Sequence, residues 1–452
     1  MRKESKFLAV LSAAALMAVL APKMTTFPAT ASVFAKTNGW TEENGNWVYY
    51  GSEGYLETDT WKKVNDNWYY LDSDGNLTFN QKIDDRYVGS DGSMVTNTWI
   101  SIENEEDWDV EDAPSQYWYY FDKNGRAVNS RWYTINDKQY YFNEDGQMQT
   151  GLIEVDGYTY FCGDESNGAM QTGWIFFEED VNNPDNGDVW SYFDSRGRRI
   201  DNQTDKKIDG KYYTFIDGAM QTGWVKTGNA TASNADGSAT DLLLSNYQHY
   251  STEDGSRSEG WMELEGIEGI HSIDESYWFY LKNGKPHAAS NHSLELFTID
   301  SKKYCFNEKG VMQTGLKNIT LEDGTTANFY FGEEGEGGAM KTGKQTIYDE
   351  ESGDSFTWFF YTDGSKKGQG LHGIYDNAVY VQGKRQDANE DLRYAPAVLD
   401  DVSYLVNTKG SLQKAGKSSK SSERPDLGSG YRDFRDENNK VWVVDTEGKI
   451  IQ

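Results

Sequence analysis

Aromatic and polar positions alternate along the chain in a pattern that repeats about every 20 to 22 residues. Trp40, Trp47 and Gly54 stand seven residues apart, and Trp61, Trp68 and Gly75 repeat the spacing. Trp132, Gln139 and Gly146 keep the same steps. Written out, a unit reads W-x6-W-Y-Y-F/L-D-x-x-G-x-M-x-T-G-W. Met-Gln-Thr-Gly recurs at 148–151, 170–173, 220–223 and 312–315, and Met-Lys-Thr-Gly at 340–343. Degenerate copies, such as those around Gly410 and Gly448, carry the series to sixteen units.

Each unit predicts a β-hairpin. Runs of Trp, Tyr and Phe favour a pleated strand. Asp72-Ser73-Asp74-Gly75 and Asn143-Glu144-Asp145-Gly146 read as the hairpin turns, with Gly supplying the positive φ. Thr-Gly then leads into the next unit. An isolated hairpin is marginal in water, so the expected fold is all-β: a solenoid, or superhelix, of stacked β-hairpin repeats. Acidic insertions fall at about 102–116 and 178–188, a Ser/Ala/Asn-rich loop at about 228–246, and a further loop between Met262 and Ser276. The regular array is expected over 38–383 and degenerate repeats over 384–452, with 413–430 a flexible polar Ser/Lys linker. The gaps between units are far shorter than the ~100 residues of an ordinary catalytic domain.

Composition sharpens this picture. Aliphatic residues are scarce and the net charge is −30, a combination that by itself suggests disorder. Yet the chain holds 15 Trp, 30 Tyr and 20 Phe, so rings must supply its cohesion. Residues 1–35 read as a secretory signal: Arg2, Lys3 and Lys6 precede the apolar run Phe7 to Leu20, followed by a cleavage site at Ala29-Thr30-Ala31 or Val33-Phe34-Ala35. That run is short for a bilayer span. No other segment is apolar enough to cross a membrane, and no sorting signal ends the chain, so a secreted protein held non-covalently at a surface is expected. Cys162 and Cys305 occupy different repeat columns and read as buried small hydrophobes rather than a disulfide.

The W-Y-Y-F-D-x-x-G-x-M-x-T-G-W phrase resembles the choline-binding and glucan-binding cell-wall repeats of Gram-positive surface proteins. The resemblance covers nearly the whole chain after the signal. It implies ligand sites between consecutive hairpins, each caged by the Trp opening a unit, the Trp opening its first strand, and an aromatic of the next unit, with a Met lining the site. Carried over by position, this names Trp40 with Trp47, Trp61 with Trp68, Trp99 with Trp118, Trp174 with Trp190, and more loosely Trp261 with Trp278. Trp132 and Trp224 open further units, and Met148, Met170 and Met220 stand in the Met column. Leu152 and Leu316 replace the opening Trp, and Gln139, Thr159, Lys211 and Asn328 replace the second, so few complete cages are expected.

The chemistry stands on its own footing. A quaternary ammonium has no proton to donate, so ring faces are what hold it, at about 0.5–2 kcal/mol each. Several weak sites on one chain facing a polymer would combine into firm retention. Pleat alternation puts Trp68 and Tyr70 on one face, making Tyr49, Tyr70 and Tyr120 the expected third walls. The negative charge attracts cations and disfavours nucleic acid. Asp-x-Asp-Gly lacks the spacing of an EF-type calcium loop. The five His form no H-x-x-x-H pair, so no metal is expected, and no catalytic phrase or cofactor motif is present. These features predict a non-catalytic, multivalent cell-wall-binding protein whose partner is choline-decorated teichoic acid or a glucan. The alternatives are an α-glucan-binding protein, from the Tyr-rich units at 139–173 and 303–343, or a spacer displaying its insert loops to a bacterial or host protein.

Overall fold

The computed structural model describes residues 38–104, 114–164, 167–180, 187–229, 232–233, 239–240, 243–290 and 293–451. The expected export segment at 1–35 lies outside them, as do the centres of the loops at 102–116 and 178–188 and most of that at 228–246. Among the described residues the protein is all β apart from the short helical turns Leu244–Asn246 and Pro425–Leu427. Antiparallel hairpins follow one another: Gly39–Glu43 with Asn46–Tyr50, Thr60–Val64 with Asn67–Leu71, Gln81–Ile83 with Arg86–Val88, and Thr98–Glu103 with Gln116–Phe121. The series continues through Arg131–Ile135 with Lys138–Phe142, and it ends with Arg432–Arg435 paired to Val441–Val444.

The tight turn of each hairpin lies upstream of the expected one. The strands meet at Asn65-Asp66 (φ 49° and 70°), Asn136-Asp137 (48° and 63°) and Asp400-Asp401 (47° and 65°). Two successive positive φ values match the right-handed twist of the flanking strands, and Asn and Asp tolerate that region. Asp-x-x-Gly forms a second turn, just after the hairpin. Asp72 Oδ1 accepts from the amides of Asp74 at 2.9 Å and Asn76 at 2.8 Å, and the Gly75 amide donates to the Asp72 carbonyl at 3.0 Å. Asn143 and Asn307 do the same in their units.

This second turn returns the chain to make the contact that joins hairpins. The Leu77 amide donates to the Trp47 carbonyl at 2.7 Å, Met94 to Trp68 at 2.7 Å, Met148 to Trp118 at 2.8 Å, Met170 to Gln139 at 2.8 Å and Met340 to Lys303 at 2.8 Å. In each case the Met column of one unit bonds the second-Trp column of the unit before. The side chain then reaches forward beneath the turn glycine of the unit after. A Cβ on Gly92 would come to 3.1 Å from Leu77, and one on Gly125 to 2.6 Å from Met94. Gly168, Gly197 and Gly368 bear the same relation to Met148, Met170 and Met340, and Arg199 and Arg257 take the Met position beneath Gly218 and Gly284. One residue thus ties three hairpins. Alternate positions of the second strand point inward, so Leu71, Phe121, Phe142 and Phe193 are fully buried and Tyr69, Tyr119 and Tyr140 nearly so.

The chain falls into two compact units, Met1–Gln203 with Thr214–Met220, and Thr204–Tyr213 with Gln221–Gln452. The boundary expected at 383/384 cuts through a sheet, because Lys384 pairs with both Trp358 and Val381 in a five-stranded arrangement. Nor is 413–430 a free linker. The Asp433 carboxylate accepts from the Ser421 hydroxyl, from the Ser422 amide at 2.7 Å and hydroxyl at 2.6 Å, and from the Glu423 amide at 3.2 Å. A Ser/Lys-rich composition looks unstructured until one carboxylate gathers its donors. Cys162 and Cys305 are both buried and free, and burial pushes both thiols up to about 12.

Gly125→Ala tests the three-hairpin tie. With φ at +73° and Met94 beneath it, the variant is expected to lose about 1–3 kcal/mol, read as a lowered urea midpoint. Met94→Ala in the same chain should recover part of that loss, because the clash is then removed.

Candidate functional site

The joining bond sets each hairpin's aromatic face against the next hairpin's second strand. Cross-strand register pairs Trp40 with Tyr49, Trp61 with Tyr70, Trp99 with Tyr120, Trp132 with Tyr141, Trp174 with Tyr192, Trp224 with His249 and Trp261 with Tyr280. Each indole packs on that partner with ring centroids 5.0–5.3 Å apart. Its other contact comes from the next unit. Trp40 meets Tyr69 at 5.4 Å, Trp99 meets Tyr140 at 5.0 Å, Trp132 meets Tyr160 at 4.9 Å and Trp261 meets Tyr304 at 4.6 Å. Trp174 meets Phe215 at 5.7 Å and Trp224 meets Phe279 at 5.3 Å.

The fullest constellation surrounds Trp99. Its ring lies 6.5 Å from Trp118 at 79°, 5.2 Å from Tyr120 at 66° and 5.0 Å from Tyr140 at 70°, with Phe142 stacked at 5.7 Å. Tyr133 of the next hairpin adds a ring 5.7 Å from Tyr120. Trp99 and Trp118 form a right-angled corner of two indoles, both only partly buried, against a floor of buried Tyr140, Phe142 and Met148. Edge-to-face pairs of this kind contribute about 0.5–1.5 kcal/mol each beyond area burial. Burial first, and then Tyr133 and Asp122, raises the Tyr120 phenol above its ordinary range, and burial raises Tyr140, so both rings stay neutral.

The predicted residues separate into those the fold assembles and those it assigns elsewhere. Trp40, Trp47 and Tyr49 pack together over Tyr69, Leu71 and Leu77. Tyr49, Tyr70 and Tyr120 serve as partners within their own hairpins; the wall from the next unit is the preceding column, Tyr69 or Tyr140, because that face of the pleat points back. Trp68 and Trp278 are 40% and 44% exposed, at the edge of their hairpins. Trp190 packs on Phe176 at 5.3 Å in its own hairpin. Met148 is core, 7% exposed and held beneath Gly168, and Met220 pairs with Phe215. Met170 lines a cavity of about 410 Å³ with Asp137, Lys138, Gln139, Asn167, Ala169 and Gln171. Sequence reasoning missed Tyr140, Tyr160, Phe279 and Tyr304, although the first Tyr of each W-Y-Y run marks that column.

His249 was also missed as a site member. It is 5% exposed, takes the position of a cross-strand Tyr opposite Trp224, and bonds Ser258 Oγ through Nδ1 at 2.8 Å. Burial pushes its imidazolium down to about 4, so a neutral ring stands there.

Comparisons with known proteins agree with the repeat. Residues 128–172 match the choline-binding repeat family, and residues 59–77 and 115–127 match the cell wall binding repeat family. These three segments are repeats of the choline-binding and cell-wall-binding type. It is 31% identical over 114 residues to Glucosyltransferase-S of Streptococcus downei, covering 25% of this chain and 8% of that protein. It is 24% identical over 300 residues to Glucosyltransferase-I of the same organism, covering 62% and 17%. The chain thus spans less than a fifth of the length of either relative. Similar solved structures include the modular autolysin LytC from Streptococcus pneumoniae, with TM-score 0.38, 19% identity and coverage of 62% of this chain and 54% of that one. The choline-binding domain of CbpL from the same species gives TM-score 0.30 and 25% identity, covering 46% and 99%.

The buried imidazole makes stability depend on pH. With the His249 value about 4 in the folded state and about 6.5 unfolded, its neutral form favours folding above pH 6.5. That contribution, on the order of a few kcal/mol at most, is lost as pH falls from 6.5 through 4. Urea denaturation at pH 7 and pH 4 should show a larger acid loss in the wild type than in His249→Phe, which cannot titrate.

Proposed function

We propose that this chain is an exported, non-catalytic surface protein that holds quaternary ammonium groups of a cell-wall polymer in aromatic corners between consecutive hairpins. The observation that carries this reading is the Trp99, Trp118, Tyr120 and Tyr140 constellation, where two indole faces meet at a right angle beside neutral phenols. Such faces attract a cation that cannot donate a hydrogen bond. Three converging rings support affinity in the millimolar class, about −4 kcal/mol. The corners at Trp40, Trp132, Trp224 and Trp261 repeat the theme, that at Trp40 with Trp47 beside it, and sites in series on one chain raise retention on a polymer that displays many ligands. The surplus of carboxylates adds a field that concentrates cations. A teichoic acid bearing choline fits this chemistry through its ammonium head rather than its phosphate.

A second reading, α-glucan binding, is favoured by the cavity of about 410 Å³ around Gln139. There the second-Trp column holds an amide, and Asp137, Asn167 and Gln171 add polar groups suited to sugar hydroxyls. The two glucosyltransferase relatives point the same way. In both readings the described array is a binding element.

Choline titration followed by Trp fluorescence separates the two. The ammonium reading expects saturable change at millimolar choline, with Trp99→Ala weakening the affected site about tenfold or more, since one ring face of a three-ring cage is lost. No change in emission with choline, together with retardation in a dextran-containing gel, would select the glucan reading.

A further inference from the structure

The hairpin Gln81–Ile83 with Arg86–Val88 is short, three residues to a strand, and it breaks the aromatic pattern at three columns at once. Lys82 pairs with Tyr87 as Trp61 pairs with Tyr70, so Lys82 stands in the opening-Trp column. Asp85, whose carbonyl accepts from the Ala127 amide at 2.7 Å, stands in the second-Trp column. Arg86 therefore occupies the column of Tyr69. Each cation makes the contact of the ring it replaces. The Arg86 guanidinium carbon lies 5.8 Å from the centroid of Trp61, where other opening indoles meet a ring of the next hairpin. Lys82 Nζ lies 4.5 Å over Tyr119, the contact an opening Trp would have made.

Arg86 is held in place. Its Nη1 donates to the Asn124 carbonyl at 3.2 Å and lies 3.4 Å from the Met94 sulfur, while Nε stands 3.5 Å from Asp85 Oδ1. The other Asp85 oxygen faces Arg126 at 3.5 Å. The Arg86 side chain is 25% exposed.

We propose that this hairpin is a built-in plug: Arg86 and Lys82 take the place of ring walls in the two inter-hairpin aromatic sites that flank it and set a cation of the chain itself against the Trp61 and Tyr119 faces. The inference rests on the ammonium reading, and it deepens that reading by stating which sites are closed to ligand. A tethered cation acts at an effective concentration of about millimolar or higher, and this one is further ordered by a carbonyl and a carboxylate. A free ligand of millimolar affinity does not displace it. Trp61 with Tyr70, their ring centroids 5.2 Å apart, is then silent toward choline, while the Trp99 corner is open. The plug also lets a hairpin lacking all three ring columns keep its place between two aromatic neighbours.

The test uses the full chain with two readouts. In a side-chain proton–nitrogen spectrum, the Arg86 Nε–H is expected to be ring-current shifted, to lose that shift in Trp61→Ala, and to stay put on addition of choline. By calorimetric titration, Arg86→Gln should bind one more choline than the wild type, Arg86→Lys should not, and Arg86→Gln with Trp61→Ala should return to the wild-type number. An Arg86 resonance indifferent to Trp61, or one released by choline, would overturn the plug, as would unchanged stoichiometry in Arg86→Gln. In a chain that bound no choline anywhere the ammonium reading would fall and the plug with it, whereas choline binding with unchanged stoichiometry in Arg86→Gln would overturn the plug alone.

Discussion

A main-chain hydrogen bond from the Met column of one hairpin to the second-Trp carbonyl of the hairpin before it holds the array in register. A two-stranded ribbon has too little buried surface to persist alone, and this bond adds a third, returning segment at each junction. It recurs at Trp47, Trp68, Trp118, Gln139 and Lys303 whatever side chain those residues carry, because only the carbonyl is used. That indifference explains how the series survives loss of its second Trp. It also explains why turn glycines are required at Gly125 and Gly168: the Met side chain that follows the bonded amide lies where their Cβ would be. Long insertions between paired strands, as between Glu103 and Gln116 or Phe177 and Val189, leave the junction untouched, since they leave the hairpin at its far end.

Cohesion and recognition draw on the same rings, and the pleat divides them. Inward columns, Tyr140 and Phe142 in one hairpin, are closed against the preceding unit. Outward columns, Trp99 and Trp118, keep part of their surface in water. A ligand corner therefore needs no separate scaffold; it is the unfilled edge of a packing interface. Where a cation of the chain takes an inward column, as at Arg86, the interface remains and the corner is lost.

Much of this was legible in the sequence. The period, the all-β hairpins and the opening indoles follow from spacing alone, because the repeat samples the same positions many times. Four things did not. Asn65-Asp66 and Asn136-Asp137 were passed over as hairpin turns because Asp-x-x-Gly offered a louder glycine signal, although paired Asn/Asp residues carry the same positive-φ information. The third wall was assigned to Tyr49, Tyr70 and Tyr120 by alternation within one strand, which cannot tell which face looks back at the previous unit. Asp433 gathers its donors from residues 10 to 12 positions away in sequence, and composition is blind to such a contact. The Met column was read as lining ligand sites, whereas the geometry of Gly125 and Gly168 shows that it first fills the junction.

Three basic residues of this acidic chain share an arrangement that composition hides. Lys62 sits 4.8 Å over Tyr49 while bonding Glu57, Arg198 sits 4.9 Å over Tyr158 while bonding Asp194, and Arg257 sits 4.3 Å over Tyr212 while bonding Asp205. Each guanidinium or ammonium lies between a ring face and a carboxylate. The carboxylate satisfies the donors that the ring cannot, so the cation is retained without being left unpaired in a partly buried place. A quaternary ammonium has no donors and needs only the ring. The same arrangement holds in the plugged hairpin, where Asp85 stands in a Trp column beside Arg86.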